Sequence, residues 1–369
     1  MKWRFFFLVV LASFIDGYSL YADGLVAIVI PQIFDLGIIM YGFSRIRYTS
    51  RLRALPLLLI SATILFGFRD VSFAEAINIK AFIRYVPLII VKQPIFQKEE
   101  RADFMRAIVY LAAIHLLFSV SLDIFNVVSP FLEKNYLEFA GYNRQFRTED
   151  IRAVNAYVGF MGHPPTFAFL LVIAIICNQR ADFFGMLLNL FFLYGLIKTN
   201  SVALILFGTL FSVRSLRSAY KLMIPLAIVP VLMSASAVLL NRLNISYVLY
   251  EASQNRLWLI LDVLPTIISI SILGFGADLG NVISAVYGEL ASRKVLVYSA
   301  WEDVYYLTIF YYYGIVTLFV YVLTLNKSRR TSWLAKKRVM NVFILMNFLI
   351  VVPEIRFISL IYWVLYASE

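Results

Sequence analysis

The sequence predicts an all-α fold: a polytopic integral membrane protein of about twelve transmembrane helices, at roughly 20 residues per span, with two long outer loops. The first observation behind this is composition. Of 369 residues 62% are hydrophobic and 15% charged, where a soluble domain is about half apolar and a quarter charged. About 229 apolar residues suffice for about eleven or twelve spans and leave about 129 for connections, so no sizeable soluble domain fits beside the single transmembrane domain, 1–369. The second observation is that the apolar residues come in runs bounded by charge. The third is the net charge of +11, which collects between runs as cytoplasmic loops require. That placement removes the nucleic-acid reading a basic soluble protein would invite.

In chain order the runs are 5–21, 25–43, 54–69, 81–97, 107–128, 162–178, 183–198, 200–213, 222–240, 304–325, 339–353 and 356–367. Lys2 and Arg4 precede the first in the manner of a signal peptide, but Asp16 interrupts it and no Ala-x-Ala follows, so an uncleaved first helix is expected. Arg84 and Lys92 fall in the fourth run, where a charge at mid-membrane costs roughly 2.5–3.5 kcal/mol. Eight helical residues separate them by about 12 Å, so each is expected to snorkel to its own surface, with phosphate binding as the alternative. His115 in the fifth run reads as a packed, hydrogen-bonded core residue, and Cys177 in the sixth as a packing residue. One cysteine, two histidines and no Asp-x-Asp pair leave no metal site and no intrachain disulfide, and no cofactor is expected.

With the N-terminus inside, 20 of the 33 basic residues face the cytoplasm. They include Arg45, Arg47, Arg51 and Arg53, then Lys92, Lys98, Arg101 and Arg106, and finally Lys327, Arg329, Arg330, Lys336, Lys337 and Arg338. Both termini are therefore expected in the cytoplasm. The outer loops 129–161 and 241–303 are too long to be mere connections. Their Tyr, Trp, Phe and Arg argue against disorder. The stretch 257–273 is apolar enough to span, but Asp262 and Pro265 interrupt it, and a crossing would put the basic 327–338 loop outside. A helix lying on or dipping into the outer face is expected instead. No internal repeat is visible.

Several landmarks resemble the O-antigen polymerase and ligase superfamily, membrane glycosyltransferases that act on polyprenyl-diphosphate-linked sugars. Gly162-His163-Pro164-Pro165-Thr166 resembles the glycine and proline before the sixth helix of that family. Lys198-Thr199-Asn200-Ser201 stands where the family often has Thr-x-Ser-Arg; Val202 replaces the arginine, so its role is not carried over and Lys198 is only a guess at a substitute. Arg256-Leu257-Trp258 with Gly274-Phe275-Gly276 resembles the large late loop, and Asp303-x-Tyr305 with Tyr313-Gly314-Ile315 the entry to the next span. The resemblance covers residues 105–325. Ligases of the superfamily carry a histidine in the late loop, and 241–303 has none, which favours the polymerase.

The resemblance implies a protein of the bacterial inner membrane with its active site facing the periplasm, so that both long loops are periplasmic. Undecaprenyl-diphosphate-linked oligosaccharide would be donor and acceptor, with membrane lipid and a chain-length-regulating co-polymerase as further partners. A sugar hydroxyl would attack the anomeric carbon and expel the diphosphate. Arginine suits that leaving group, because its planar fork pairs two phosphate oxygens and stays charged near lipid. Arg152 and Arg256, each just before an apolar segment, are the first choices, followed by Arg144, Arg147 and Arg242. The same arginines would equally bind anionic lipid or pair with Glu149, Asp150 and Glu251. Asp303 or Glu302 is the candidate base at the mouth of the tenth span, where an acidic residue would also serve as a helix cap. His163 is a second candidate, or a turn residue. Trp258, Trp301 and Tyr157 are candidates for stacking on sugar, although aromatic belts mark any membrane interface. A ligase is the alternative enzyme and a flippase the alternative from another class. A flippase should carry charge deep within broken helices, whereas the outer charge here lies mostly in loops.

Overall fold

A computed structural model of the chain describes residues 11–13, 15, 25–48, 51–67, 81–98, 100–127, 157–161, 164–178, 182–199, 204, 205, 208, 209, 272–274, 305–347 and 356–368. Among these the fold is helical, with no strand beyond one isolated antiparallel bridge between Leu52 and Val91. The helices are α1 (Leu25–Ser44, followed by a 3-10 turn Arg45–Tyr48), α2 (Ala54–Gly67), α3 (Ala81–Arg84), α4 (Pro87–Ile90) and α5 (Glu100–Ile124). They continue with α6 (Pro164–Cys177), α7 (Phe183–Lys198), α8 (Tyr305–Ser328), α9 (Leu334–Met346) and α10 (Arg356–Ala367). Helices α1, α7 and α10 coincide with expected spans, whereas α5 starts seven residues before its apolar run and α9 five. The run 222–240 lies outside the described residues, as do all but fragments of 5–21 and 200–213.

Among the described residues, two stretches are long and apolar enough to cross a membrane, Val29–Arg47 and Glu100–Ile124. Ala54–Gly67, Thr166–Cys177, Phe183–Lys198 and Arg356–Ala367 are shorter apolar helices. Helix α5 buries Ile108, Leu111, Ala112, His115 and Ser119 and exposes Tyr110, Ile114, Leu117 and Ile124. Phe183, Leu187, Leu190 and Tyr194 form a similar exposed stripe on α7. Apolar stripes of this size belong against lipid or another protein rather than water. Helices apolar all round go to the centre, and α6 and α10 are buried along their length. Helix α6 packs on α5, α7 and α9, and α8 lies along α2.

The fourth apolar run departs from expectation, for it is no continuous helix. Pro87 has no N–H to give to Ile83 and its ring crowds that carbonyl. The chain closes there in tight turns, with Val86 N donating to Ile83 O at 3.0 Å and Leu88 N to Tyr85 O at 3.0 Å. After α4, Val91 is extended, and the segment pairs with residues 51–53 through Arg53 N to Ile90 O at 2.7 Å and Lys92 N to Arg51 O at 3.0 Å. Arg45 donates to Leu88 O at 2.9 Å and also to Gln93 O, supplying donors for carbonyls the break leaves open. Irregular backbone inside a membrane protein persists only where protein or water satisfies it.

Helix α8 is broken as well. Gly314 adopts φ 78° and ψ 175°, a conformation open to glycine at little cost. There Ile315 N donates to Ile272 O at 3.0 Å, and a Cβ on Gly314 would lie 2.5 Å from the Leu273 carbonyl carbon. The tail of the 257–273 stretch thus packs on α8 about 13 Å along its axis from Tyr305.

Candidate functional site

Three segments converge at one end of α5. Helix α5 stops in a Schellman turn: Asn126, at φ 52°, occupies the left-handed position, Val127 N donates to Leu122 O at 2.9 Å, and Asn126 N to Asp123 O at 3.1 Å. That turn presents the Asp123 side chain beside exposed Ile124, Phe125 and Val127. The second segment, residues 157–161, is pinned to the flank of α5. Gly159 N donates to Ser119 Oγ at 3.0 Å, Phe160 N to His115 Nδ1 at 3.2 Å, and the Phe160 ring stacks on Phe118 at 4.2 Å. Gly159 has φ 56°, and a Cβ there would stand 2.7 Å from His115 Nδ1, so the turn requires glycine. The third segment is the end of α7, tied in by Tyr157 N donating to Lys198 O at 3.1 Å.

The side chains meet at Asp123. Its Oδ2 accepts from Tyr157 Oη at 2.6 Å and from Lys198 Nζ at 3.3 Å, and Tyr157 Oη lies 3.2 Å from Tyr194 Oη. The Lys198 ammonium also stands 5.5 Å from the Tyr157 ring centre and 5.9 Å from that of Tyr194, within cation–π range. The side chains of Asp123 and Lys198 are 47% and 40% exposed, so the group is open to a ligand, while Tyr157 is buried. Burial, and then the hydrogen bond to Asp123, raise the Tyr157 pKa, so its phenol remains a donor.

A second polar group lies inside the bundle. The buried Asp35 carboxylate of α1 receives Arg84 and the Tyr85 hydroxyl from the α3–α4 break, and Arg356 Nε from the start of α10 at 3.1 Å. The snorkelling expected of Arg84 is therefore corrected: its guanidinium turns inward to a carboxylate, whereas Lys92 is exposed. His115 is buried with Nδ1 hydrogen-bonded and Nε2 without a partner among the described residues, and Cys177 is buried.

Of the residues singled out from sequence, Tyr157 is placed in the convergent group. His163, Arg144, Arg147, Arg152, Arg242, Arg256, Trp258, Trp301, Glu302 and Asp303 lie outside the described residues. The sequence alone singles out neither Asp123 nor Tyr194 and gives Lys198 no definite role. The available signal was an acid within the apolar run 107–128 and a lysine at the far end of the run 183–198. No family model, curated protein or solved structure matches the chain.

Proposed function

We propose that the chain is an inner-membrane glycosyltransferase that joins undecaprenyl-diphosphate-linked oligosaccharide units into O-antigen or a related surface polysaccharide on the periplasmic face. The observation that carries this reading is the pairing of landmark segments distant in sequence. The turn 157–161, which leads into Gly162–Thr166, is bonded to Lys198 at the start of the Lys198–Ser201 landmark. Ile272, two residues before Gly274-Phe275-Gly276, is bonded to Ile315 of Tyr313-Gly314-Ile315. In this reading about twelve spans cross the bilayer with both termini cytoplasmic. Arg152 and Arg256 hold the diphosphate with Arg144, Arg147 and Arg242 around them; Asp303, Glu302 or His163 takes the acceptor proton; and Trp258 and Trp301 contact sugar, while Tyr157, expected to stack on it, is buried and positions its neighbours instead.

A second reading, a flippase of the same lipid-linked sugar, draws support from the Asp35–Arg84–Arg356 group beside the α3–α4 break, since transporters place charge at interrupted helices. Gene deletion followed by electrophoresis of the surface lipopolysaccharide separates the possibilities. Loss of a polymerase leaves core capped by one repeat. Bare core with polymer on the carrier would point to a ligase, bare core without polymer to a flippase, and an unchanged ladder of lengths would sink all three.

A further inference from the structure

We infer that Asp123, Tyr157, Tyr194 and Lys198 form a subsite for a neutral sugar ring at the membrane surface, with the open edge of the Asp123 carboxylate accepting sugar hydroxyls. The inference rests on the reading above only in taking the sugar to be lipid-linked. Charge is the first argument. Among the described residues the group holds one carboxylate and one ammonium, which cancel, so these offer directed donors and acceptors without a net charge. A diphosphate calls for a guanidinium fork or several cations, and here the single cation is already engaged by Asp123 at 3.3 Å.

Directionality is the second argument. Asp123 Oδ2 is occupied by Tyr157 and Lys198. An ionised carboxylate has about four lone-pair sites, so further acceptor capacity faces the exposed side. A ligand that donates hydrogen bonds can use it, and a sugar carries adjacent hydroxyls suited to both carboxylate oxygens. Tyr194 is 42% exposed, so its ring offers a face to sugar C–H bonds while its hydroxyl is held by Tyr157. Buried Tyr157 fixes the other three in place, and its own backbone is tethered through Lys198, Ser119 and His115 neighbours.

Location is the third argument. Ile124 and Phe125 beside Asp123 are 70% and 75% exposed, so polar and lipid-facing surface adjoin within two residues. A sugar attached to a polyprenyl chain presents the same juxtaposition of polar head and apolar tail.

The test uses the full chain in nanodiscs and two probes: bare undecaprenyl diphosphate, and the undecaprenyl-diphosphate-linked oligosaccharide extracted from cells that make it. Wild type is expected to bind the sugar-bearing carrier about tenfold more tightly than the bare one, the equivalent of one hydrogen bond to a charged group. Asp123→Ala is expected to remove that difference and leave affinity for the bare carrier unchanged. Should Asp123→Ala fail to fold, Tyr194→Ala at an exposed position carries the same comparison. A sugar-dependent difference that survives the variant overturns the subsite while the glycosyltransferase reading stands. An equal loss for both carriers also overturns it, since the group would then hold diphosphate. Wild type that binds neither carrier removes the glycosyltransferase reading itself, and the subsite with it.

Discussion

At the scale of single residues, the buried polar contacts decide which side chains the fold can spare. Asp35 is 3% exposed in its side chain and receives Arg84, Arg356 and Tyr85. Breaking such a group from one side leaves charge behind in a low-dielectric interior, which costs roughly 3–5 kcal/mol. Asp35→Ala is therefore expected to lower the melting temperature in detergent by many degrees, and a melt within experimental error of wild type would show the ion pairs to be dispensable. Tyr157→Phe is a milder case. It deletes the donor to Asp123, whose carboxylate is half-exposed and can take water instead, so the expected loss is about 1 kcal/mol. The alkaline limb of stability gives the sign. Because the folded-state Tyr157 pKa is raised above the ordinary 10.0, its contribution is fully present below pH 10 and is lost as pH rises towards the folded value. Melts of Tyr157→Phe and wild type should therefore differ most near neutrality and converge at strongly alkaline pH. A difference that widens with rising pH would contradict the assignment.

At the scale of elements, helices interrupted by glycine and proline organise the chain. Gly314→Ala would force an L-residue to φ 78° and drive its Cβ to 2.5 Å from the Leu273 carbonyl carbon. That backbone region, open essentially to glycine alone, costs an L-residue roughly 1–3 kcal/mol, and the clash must add displacement of residues 272–274. Gly37→Ala in α1, with nothing within 4 Å of the new Cβ, should instead be neutral or stabilising by up to about 1 kcal/mol. Equal melts for the two variants would mean that residues 272–274 do not dock at Gly314. The same elements mark what was legible in the sequence. Long apolar runs reveal helices directly, because hydrophobicity is a property of the run itself, and 25–43, 183–198 and 356–367 emerge nearly to the residue. A break depends on what satisfies it. Pro87 sits in an apolar run that reads as continuous, and the distant Arg45 and Arg53 supply donors to the carbonyls of its interruption. The candidate site was half visible for a similar reason: Tyr157 stands out as an aromatic in an outer loop, whereas Asp123 gains its meaning from Lys198, 75 residues away.

At the scale of the whole molecule, the contacts among basic residues bear on orientation. Arg101 donates to Ser368 O at 3.1 Å and lies over the Trp333 ring; Lys336 donates to Tyr366 O at 3.2 Å; Arg53 lies over the Tyr366 ring at 5.1 Å. Arg53 lies in the connection between α1 and α2, Arg101 and Lys336 in the first turns of α5 and α9, and all gather at the C-terminal end of α10. Helix C-termini carry partial negative charge, so the arrangement stabilises α10. It also ties the basic connection before α2 and the basic starts of α5 and α9 to the end of α10. The positive-inside rule predicts that this end is cytoplasmic and that the Asp123 group at the far end of α5 faces out. Cysteine mapping tests this in a Cys177→Ser background, which removes the one native thiol, itself buried. Lys98→Cys and Lys337→Cys should resist a membrane-impermeant maleimide in spheroplasts and label after permeabilisation. Lys198→Cys should label at once, because its side chain is 40% exposed beside Asp123. Labelling of all three before permeabilisation would mean that the helices do not separate two compartments. The reverse pattern would place the Asp123 group in the cytoplasm, where a periplasmic polymerase could not use it.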